Sequence, residues 1–197
     1  LRLAAIVALL YYLGARLGLA WTTPPENVAL IWPSSGVLLG FLLTTPRRKW
    51  PLLVAAVFVV IVAANLVAGN SWPRSLGFGV VNTLESAAAA ALVWRLLGHG
   101  PRLDVTREVT VFIVGAIVCS NAVTALLGAA LVRGTSGASF LRIWLWWWSS
   151  DGMGMLIVAP LVLVLRRGDC VRELRRAVSD PATLIAAAAM VVAAVVI

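Results

Sequence analysis

The residues of this chain that could do chemistry are two acids and one base that lie inside long apolar segments. Asp151 follows three consecutive tryptophans, and Glu85 and Arg16 lie within two other apolar segments. An ionisable side chain at bilayer depth is costly, so it marks a candidate functional site. A buried carboxyl group must be protonated, pair with a base or meet a ligand. Because Gly14 and Gly18 mark the packed side of its segment, we expect Arg16 to turn inward and pair with Asp151 or Glu85; the alternative is that its side chain extends to a nearby membrane face.

The tryptophans beside Asp151 have two interpretations. At helical spacing, Trp144, Trp147 and Trp148 share a face with Asp151. In the first interpretation they form an aromatic belt at the membrane interface, and Asp151 is a buried structural residue that makes hydrogen bonds. In the second, Asp151 and its tryptophans line a cavity that binds a ligand. The belt accounts for the tryptophans but leaves the acid unexplained, so both interpretations stay open.

The composition of the chain indicates an integral membrane protein. Hydrophobic residues make up 61% of the 197 residues and charged residues 12%, whereas a soluble domain is about half apolar and a quarter charged. The apolar runs are long and do not alternate, which predicts an all-α, polytopic transmembrane helix bundle. The net charge of +8 falls in short connections between apolar runs, which argues against nucleic-acid binding.

The sequence also argues against catalysis in this segment. It has no Ser–His or Cys–His pair, no metal-ligand cluster and no pair of histidines inside apolar segments. Its one histidine, His99, and its one lysine, Lys49, fall in predicted loops. We expect no enzyme activity, cofactor or metal site here.

The second of about seven predicted membrane helices contains an unusual break. Trp32-Pro33-Ser34-Ser35-Gly36 places a proline, two hydroxyls and a glycine at bilayer depth. Irregular backbone is tolerated there only against protein or a water-filled cavity. We expect a helix interrupted at Trp32–Pro33, whose restart points free N–H groups toward a bound anion or carboxylate. A plain proline kink is the alternative.

The last apolar segment is short. Asp180 and Pro181 predict its beginning, and a full span needs about 20 residues, so we expect the sequence to stop inside it. The predicted segments are residues 3–21, 28–45, 52–68, 74–97, 108–132 and 143–165, and a seventh from 181 onward.

The basic residues predict the orientation and the depth of the polar groups. With the N-terminus in the cytoplasm, most of the 16 Lys and Arg residues fall in connections on the inner side. The polar residues of the helices then lie in the outer half or the middle of the membrane. This predicts one pocket that is open to, or gated from, the outer side. The predicted ligand-binding residues are Arg16, Trp32, Ser34, Ser35, Asn82, Glu85, Asn121, Trp147, Trp148 and Asp151.

Five motifs, taken together and in order, resemble those of a known family. They are Tyr-Leu-Gly-Ala-Arg-Leu-Gly (12–18), Pro-Pro-Glu-Asn (24–27), Trp-Pro-Ser-Ser-Gly (32–36), Asn-Thr-Leu-Glu (82–85), and Trp-Trp-Ser-Ser-Asp (147–151) with Ala-Pro (159–160). The chain resembles the bacterial membrane-associated sensor domain of the first class over nearly its whole length. The residues that match the family's recurrent positions are Arg16, Trp32, Pro33, Ser34, Gly36, Asn82, Glu85, Trp147 and Asp151.

The resemblance implies an input module of about eight helices in the bacterial plasma membrane, ahead of a histidine kinase, diguanylate cyclase (GGDEF), phosphodiesterase or related output. We therefore expect residues 1–197 to form a single sensor domain that is one helix short, with its cytoplasmic output domain outside this sequence. The expected signal is a small molecule or a membrane-protein partner, and by analogy with such outputs we expect a homodimer. A small-molecule transporter and a scaffold that recruits membrane proteins are the alternatives.

Overall fold

The computed structural model describes residues 1–23, 28–133 and 138–168, which form a helical bundle. Residues 1–163 belong to one compact unit. Of the second unit, only residues 164–168, at the end of the last helix, fall within the described part. The predicted seventh segment, from residue 181 onward, lies outside the described residues.

Five helices of the described part are long and apolar enough to cross a membrane, and a sixth is shorter. A two-residue antiparallel pair, β1 (Thr22–Thr23) and β2 (Val28–Ala29), follows the first helix. A short 3₁₀ turn, Arg47–Lys49, precedes the third helix. The helices are α1 (Arg2–Ala20), α2 (Pro33–Leu43), α3 (Trp50–Val67), α4 (Trp72–Leu97), α5 (Thr106–Val132) and α6 (Phe140–Arg167). The prediction of a polytopic helix bundle is confirmed.

The predicted interruption at Trp32–Pro33 takes the form of a helix start. The residues before it are not helical: Val28 and Ala29 lie in the β pair, and Trp32 is the N-terminal flanking residue of α2. With 11 residues, α2 is about 16 Å long, roughly half of the ~30 Å hydrocarbon core. All of its residues are buried. The second segment is therefore a half-length helix enclosed by its neighbours.

Prolines open three of the helices. Pro33 is the first residue of α2, while Pro51 and Pro73 are the second residues of α3 and α4. The first N–H groups of a helix have no partner within it, so proline, which lacks an N–H and has a fixed φ, costs nothing there. In all three cases the preceding residue is tryptophan. These pairs explain why the helices begin where they do.

The helix α4 lies at the centre of the bundle and packs against α2, α3 and α5. Its buried face carries small and polar residues, while large apolar side chains such as Leu76, Val80 and Leu84 are exposed. This pattern inverts that of a soluble protein, because lipid tails are as apolar as leucine and give no reason to bury it. The middle of α5, Val111–Ser120, is π-helical, a form that in proteins occurs mostly as short bulges.

Candidate functional site

The N-terminus of α2 lies against the middle of α6 in direct backbone contact. The Trp32 N–H donates to the Ser150 carbonyl oxygen at 3.1 Å. A Cβ added at Gly154 would overlap the Trp32 carbonyl oxygen, and one added at Gly36 would overlap the Gly154 carbonyl oxygen. The irregular backbone before α2 is thus enclosed in protein and partly satisfied by α6, as membrane depth requires.

The helix α1 closes the other side of this junction. A Cβ at Gly14 would lie 2.9 Å from Ser34 Oγ, and one at Gly18 would lie 2.6 Å from the Trp32 ring. The Ser34 hydroxyl donates to the Tyr11 carbonyl oxygen at 2.8 Å. The two glycines therefore give the close helix approach that a small-xxx-small pattern provides.

At this junction the structure brings the acids Glu85 of α4 and Asp151 of α6 together. They are 0% and 3% exposed, and their carboxyl groups are direct neighbours. The Ser35 hydroxyl, at the start of α2, lies beside Glu85, and the Trp147 indole lies beside both acids. We call these four side chains, Glu85, Asp151, Ser35 and Trp147, the acid centre.

The polar atoms of the acid centre are buried and lack hydrogen-bond partners. Both Glu85 oxygens, Asp151 Oδ2, Ser35 Oγ and Trp147 Nε1 have none, and the nearby Tyr11 hydroxyl and Trp32 Nε1 share this state. Among the described residues, no ion pair joins either acid to a basic side chain. Buried polar atoms are nearly always paired in proteins, so an unpaired group needs its own explanation. A cluster of such groups suits a site that a proton, water or ligand completes.

The Trp147 side chain is held against the acid centre by packing on two other helices. Its ring stacks on Phe78 of α4, with centroids 5.9 Å apart and an interplanar angle of 24°. It also covers Gly128 of α5, where a Cβ would overlap the indole. Trp147 thus links α4, α5 and α6 at the level of the acids.

The Trp148 side chain contacts α5 and Trp144. Its indole N–H donates to Val118 O at 3.2 Å, and its ring stacks on Trp144, whose N–H donates to Ala122 O at 2.8 Å. Asn121 of α5 donates to the Trp148 carbonyl oxygen at 2.8 Å, and its side-chain oxygen is buried without a partner. These residues join α5 to α6, whereas our prediction placed the Trp148 ring in the pocket wall.

The prediction that Arg16 turns inward is wrong. Its side chain is exposed, and no ion pair joins it to Glu85 or Asp151 in the described residues. Arg16 lies two residues from both Gly14 and Gly18, and positions two apart point to different sides of a helix. The glycines that pack α1 against α2 therefore turn Arg16 away from the interior.

The Asn82 side chain is buried but is satisfied within its own helix. Its Nδ2 donates to Phe78 O at 2.9 Å, and Asn82 is 4% exposed. Next to Glu85 on α4, Ser86 donates to the Ser35 carbonyl oxygen at 3.2 Å and ties α4 to the start of α2.

Sequence reasoning missed Tyr11, which is fully buried. Its hydroxyl lies near Trp32, and its electrostatic neighbours are Asp151 and Glu85. The signal was present: Tyr11 precedes Gly14 by three residues and Gly18 by seven, so it shares the packed face of α1.

The fold and this interior polar junction define a multi-pass helical membrane protein. The family model for MASE1 matches residues 3–197. The chain belongs to this family, a membrane-associated sensor domain found in histidine kinases and GGDEF proteins. No curated protein and no solved structure matches the chain. The resemblance noted from the sequence is confirmed.

Proposed function

We propose that this domain senses its signal at the acid centre and transmits a change of helix packing to a cytoplasmic output, a histidine kinase or a diguanylate cyclase. Residues 1–197 form one sensor domain, with its N-terminus in the cytoplasm of a bacterial cell and its output domain outside this sequence. The output acts in a homodimer.

One observation carries the proposal: Glu85 and Asp151 are neighbours in the interior, yet the described residues offer them no basic partner. Leaving buried charges uncompensated is strongly destabilising. Helix packing alone needs no such pair, because the glycine contacts hold α2 against α6 and Trp147 of α6 stacks on Phe78 of α4. A costly group that packing does not require is more simply explained by function.

The position of the acid centre supports transmission as well as binding. Glu85 belongs to α4, Asp151 and Trp147 to α6, and Ser35 to the first turn of α2. A change in the charge or occupancy of the centre changes the contacts among three helices at once. A signal shifts an equilibrium only through different affinities for two states, and this junction provides contacts that two packing states would share unequally.

The test uses the full-length protein in membrane vesicles, with output activity as the readout: autophosphorylation for a kinase or cyclic di-GMP formation for a cyclase. We expect Glu85→Gln and Asp151→Asn to lose the response while the protein stays inserted and folded. The control is Asp104→Asn, which removes an exposed acid in the connection before α5. An unchanged dose–response in both interior variants would remove the acid centre from the sensing mechanism.

A further inference from the structure

Within the acid centre, no hydrogen bond joins the carboxyl group of Glu85 to that of Asp151. Both oxygens of Glu85, and Oδ2 of Asp151, accept no hydrogen bond although the carboxyl groups are neighbours. An ionised carboxylate only accepts hydrogen bonds, whereas a protonated carboxyl group also donates one. Two ionised carboxylates this close in a medium of low dielectric repel each other strongly. A proton between them removes the repulsion and supplies the donor.

In the part of the chain that the structure describes, no basic side chain is paired with either acid. The helices α2 and α3 contain no ionisable residue, and among the ionisable residues of α1, α4, α5 and α6 up to residue 163, only Tyr11 lies buried next to the pair. The hydroxyl of Tyr11 carries no positive charge. The remaining ionisable residues of those helices are Arg2, Tyr12, Arg16, Arg74, Arg95, Arg107, Glu108, Cys119 and Arg142.

We propose that the ligand of the acid centre is the proton, held between Glu85 and Asp151. This inference rests on the proposed function for its link to signalling, but not for the binding itself. A proton needs no space beyond the hydrogen bond that it makes, which suits acids that are 0% and 3% exposed. A hard metal cation would need about six oxygen ligands.

Binding of the proton changes the charge of the pair and the contact between α4 and α6. A hydronium ion from the outer aqueous phase gives its proton to one carboxylate oxygen, an O–H bond forms, and water is released. The charge of the pair rises by one unit, and no electrons are transferred. With the proton bound, a carboxyl–carboxylate hydrogen bond joins α4 to α6. Without it, two like charges push the same helices apart, so the proton favours the packed state.

The experiment follows the carboxyl groups directly by infrared difference spectroscopy of the whole chain in lipid nanodiscs, across a pH series in sodium chloride and in choline chloride. We expect a protonated-carboxyl band that titrates with about one proton per chain, at the same midpoint in both salts. The frequency of the band and the midpoint of its titration both change in Glu85→Gln and in Asp151→Asn, because each variant leaves a single buried acid, and both are unchanged in Asp104→Asn.

If an acid variant fails to fold, a variant that retains both acids can still test proton binding. Ser35→Ala retains both acids and removes only the hydroxyl beside Glu85, so it must change the midpoint of the band's titration. Absence of a titrating band while the protein remains folded overturns the inference. So does a band that sodium removes at constant pH, which would assign an alkali-metal ion to the site.

The result also separates this inference from the proposed function. If the band titrates but output activity is the same at every pH, proton binding is supported and its role as the signal is overturned. If no band titrates but the acid variants lose their response to another stimulus, the sensing role is supported and the proton is overturned as its ligand.

Discussion

Two buried acids of this protein lie in opposite chemical surroundings. Glu108, at the start of α5, accepts three hydrogen bonds from Arg102: from the backbone N–H at 2.7 Å, from Nε at 2.8 Å and from Nη2 at 2.6 Å. Glu85, in the middle of α4, accepts none and has Asp151 as its neighbour. The hydrogen bonds and the charge of Glu108 raise the pKa of Arg102, so this pair stays ionised.

Glu108 has a basic partner close by in the sequence, whereas Glu85 has none among the described residues. Glu108 is paired with a residue six positions earlier, so the connection between α4 and α5 folds around its carboxylate. At the acid centre, Trp147 Nε1 and Ser35 Oγ lie beside the acids, and no basic side chain of the described residues forms an ion pair with them. The local pair satisfies Glu108, whereas our proposal requires Glu85 to gain and lose a proton.

The largest effect on stability is expected from a substitution at the backbone contact between α2 and α6, next to the acid centre. At Gly154 an added Cβ would overlap the Trp32 carbonyl oxygen, so we expect Gly154→Val to separate α2 from α6. The cost is about 3 kcal/mol or more, since overpacking here meets backbone that cannot rotate away. The measurement is the yield of monodisperse protein and its thermal midpoint in detergent.

The matched control for Gly154→Val is at the Glu108 end of the bundle. Gly98 has φ of 78° and nothing within 4 Å of an added Cβ, so Gly98→Ala meets only the strain of the left-handed conformation, about 1 kcal/mol. Equal losses in the two variants would show that the contact of α2 with α6 is loose.

Replacing either acid of the acid centre by its amide should reduce the response of the output without lowering thermal stability. When the pair carries no proton its two carboxylates repel each other, and Glu85→Gln and Asp151→Asn each remove that repulsion, so thermal stability at high pH is maintained or rises. The response of the output falls by about tenfold or more, within the usual range of coupling between sites. Thermal unfolding and output activity are measured on the same preparations. A lower thermal midpoint with a full response would make the pair a structural element.

The Glu108 site should show the reverse behaviour, with a smaller effect. Glu108→Gln keeps the shape of the side chain but weakens the bonds from Arg102, so we expect the thermal midpoint to fall and the response to persist. Because Arg102 is exposed, high salt screens the pair and should shrink the difference between variant and wild type. A lost response in Glu108→Gln would extend the sensing mechanism to the α4–α5 connection.

Most helix boundaries could be predicted from the sequence, because long apolar runs end at basic or Pro- and Gly-containing connections. The fourth segment, predicted as 74–97, is Trp72–Leu97 in the structure. The bounds of the second helix were harder to predict. Its segment consists of a non-helical stretch followed by an 11-residue helix, and it has the same apolar composition as one full span. Hydropathy measures how favourably side chains transfer from water to an apolar environment. It therefore does not distinguish a helix that spans the membrane from a short helix that is buried by neighbouring helices.

Site residues whose position follows from the free-energy cost of burying a charge could be predicted from the sequence. Site residues whose role depends on the direction of the side chain could not. Burial of lone acids is costly enough that Glu85 and Asp151 could be expected to meet inside the bundle, and the structure makes them neighbours. The direction of Trp148 depends on its rotamer and on its hydrogen bond to the carbonyl oxygen of Val118, which no spacing rule contains. Whether any of these residues bind a ligand stays a prediction.

The smallest expected effect belongs to Arg16, whose side chain is exposed on α1. Arg16→Gln should change the free energy of unfolding by less than about 0.5 kcal/mol, because it alters no described interior contact. The matched variant is Tyr11→Phe, which removes a buried hydroxyl next to the acid centre on the same helix. If the acid centre is the sensing site, Tyr11→Phe changes the response and Arg16→Gln does not, with thermal unfolding measured for both. The opposite result would move recognition from the interior to the outer surface of α1, where a second protein rather than a proton would be the partner.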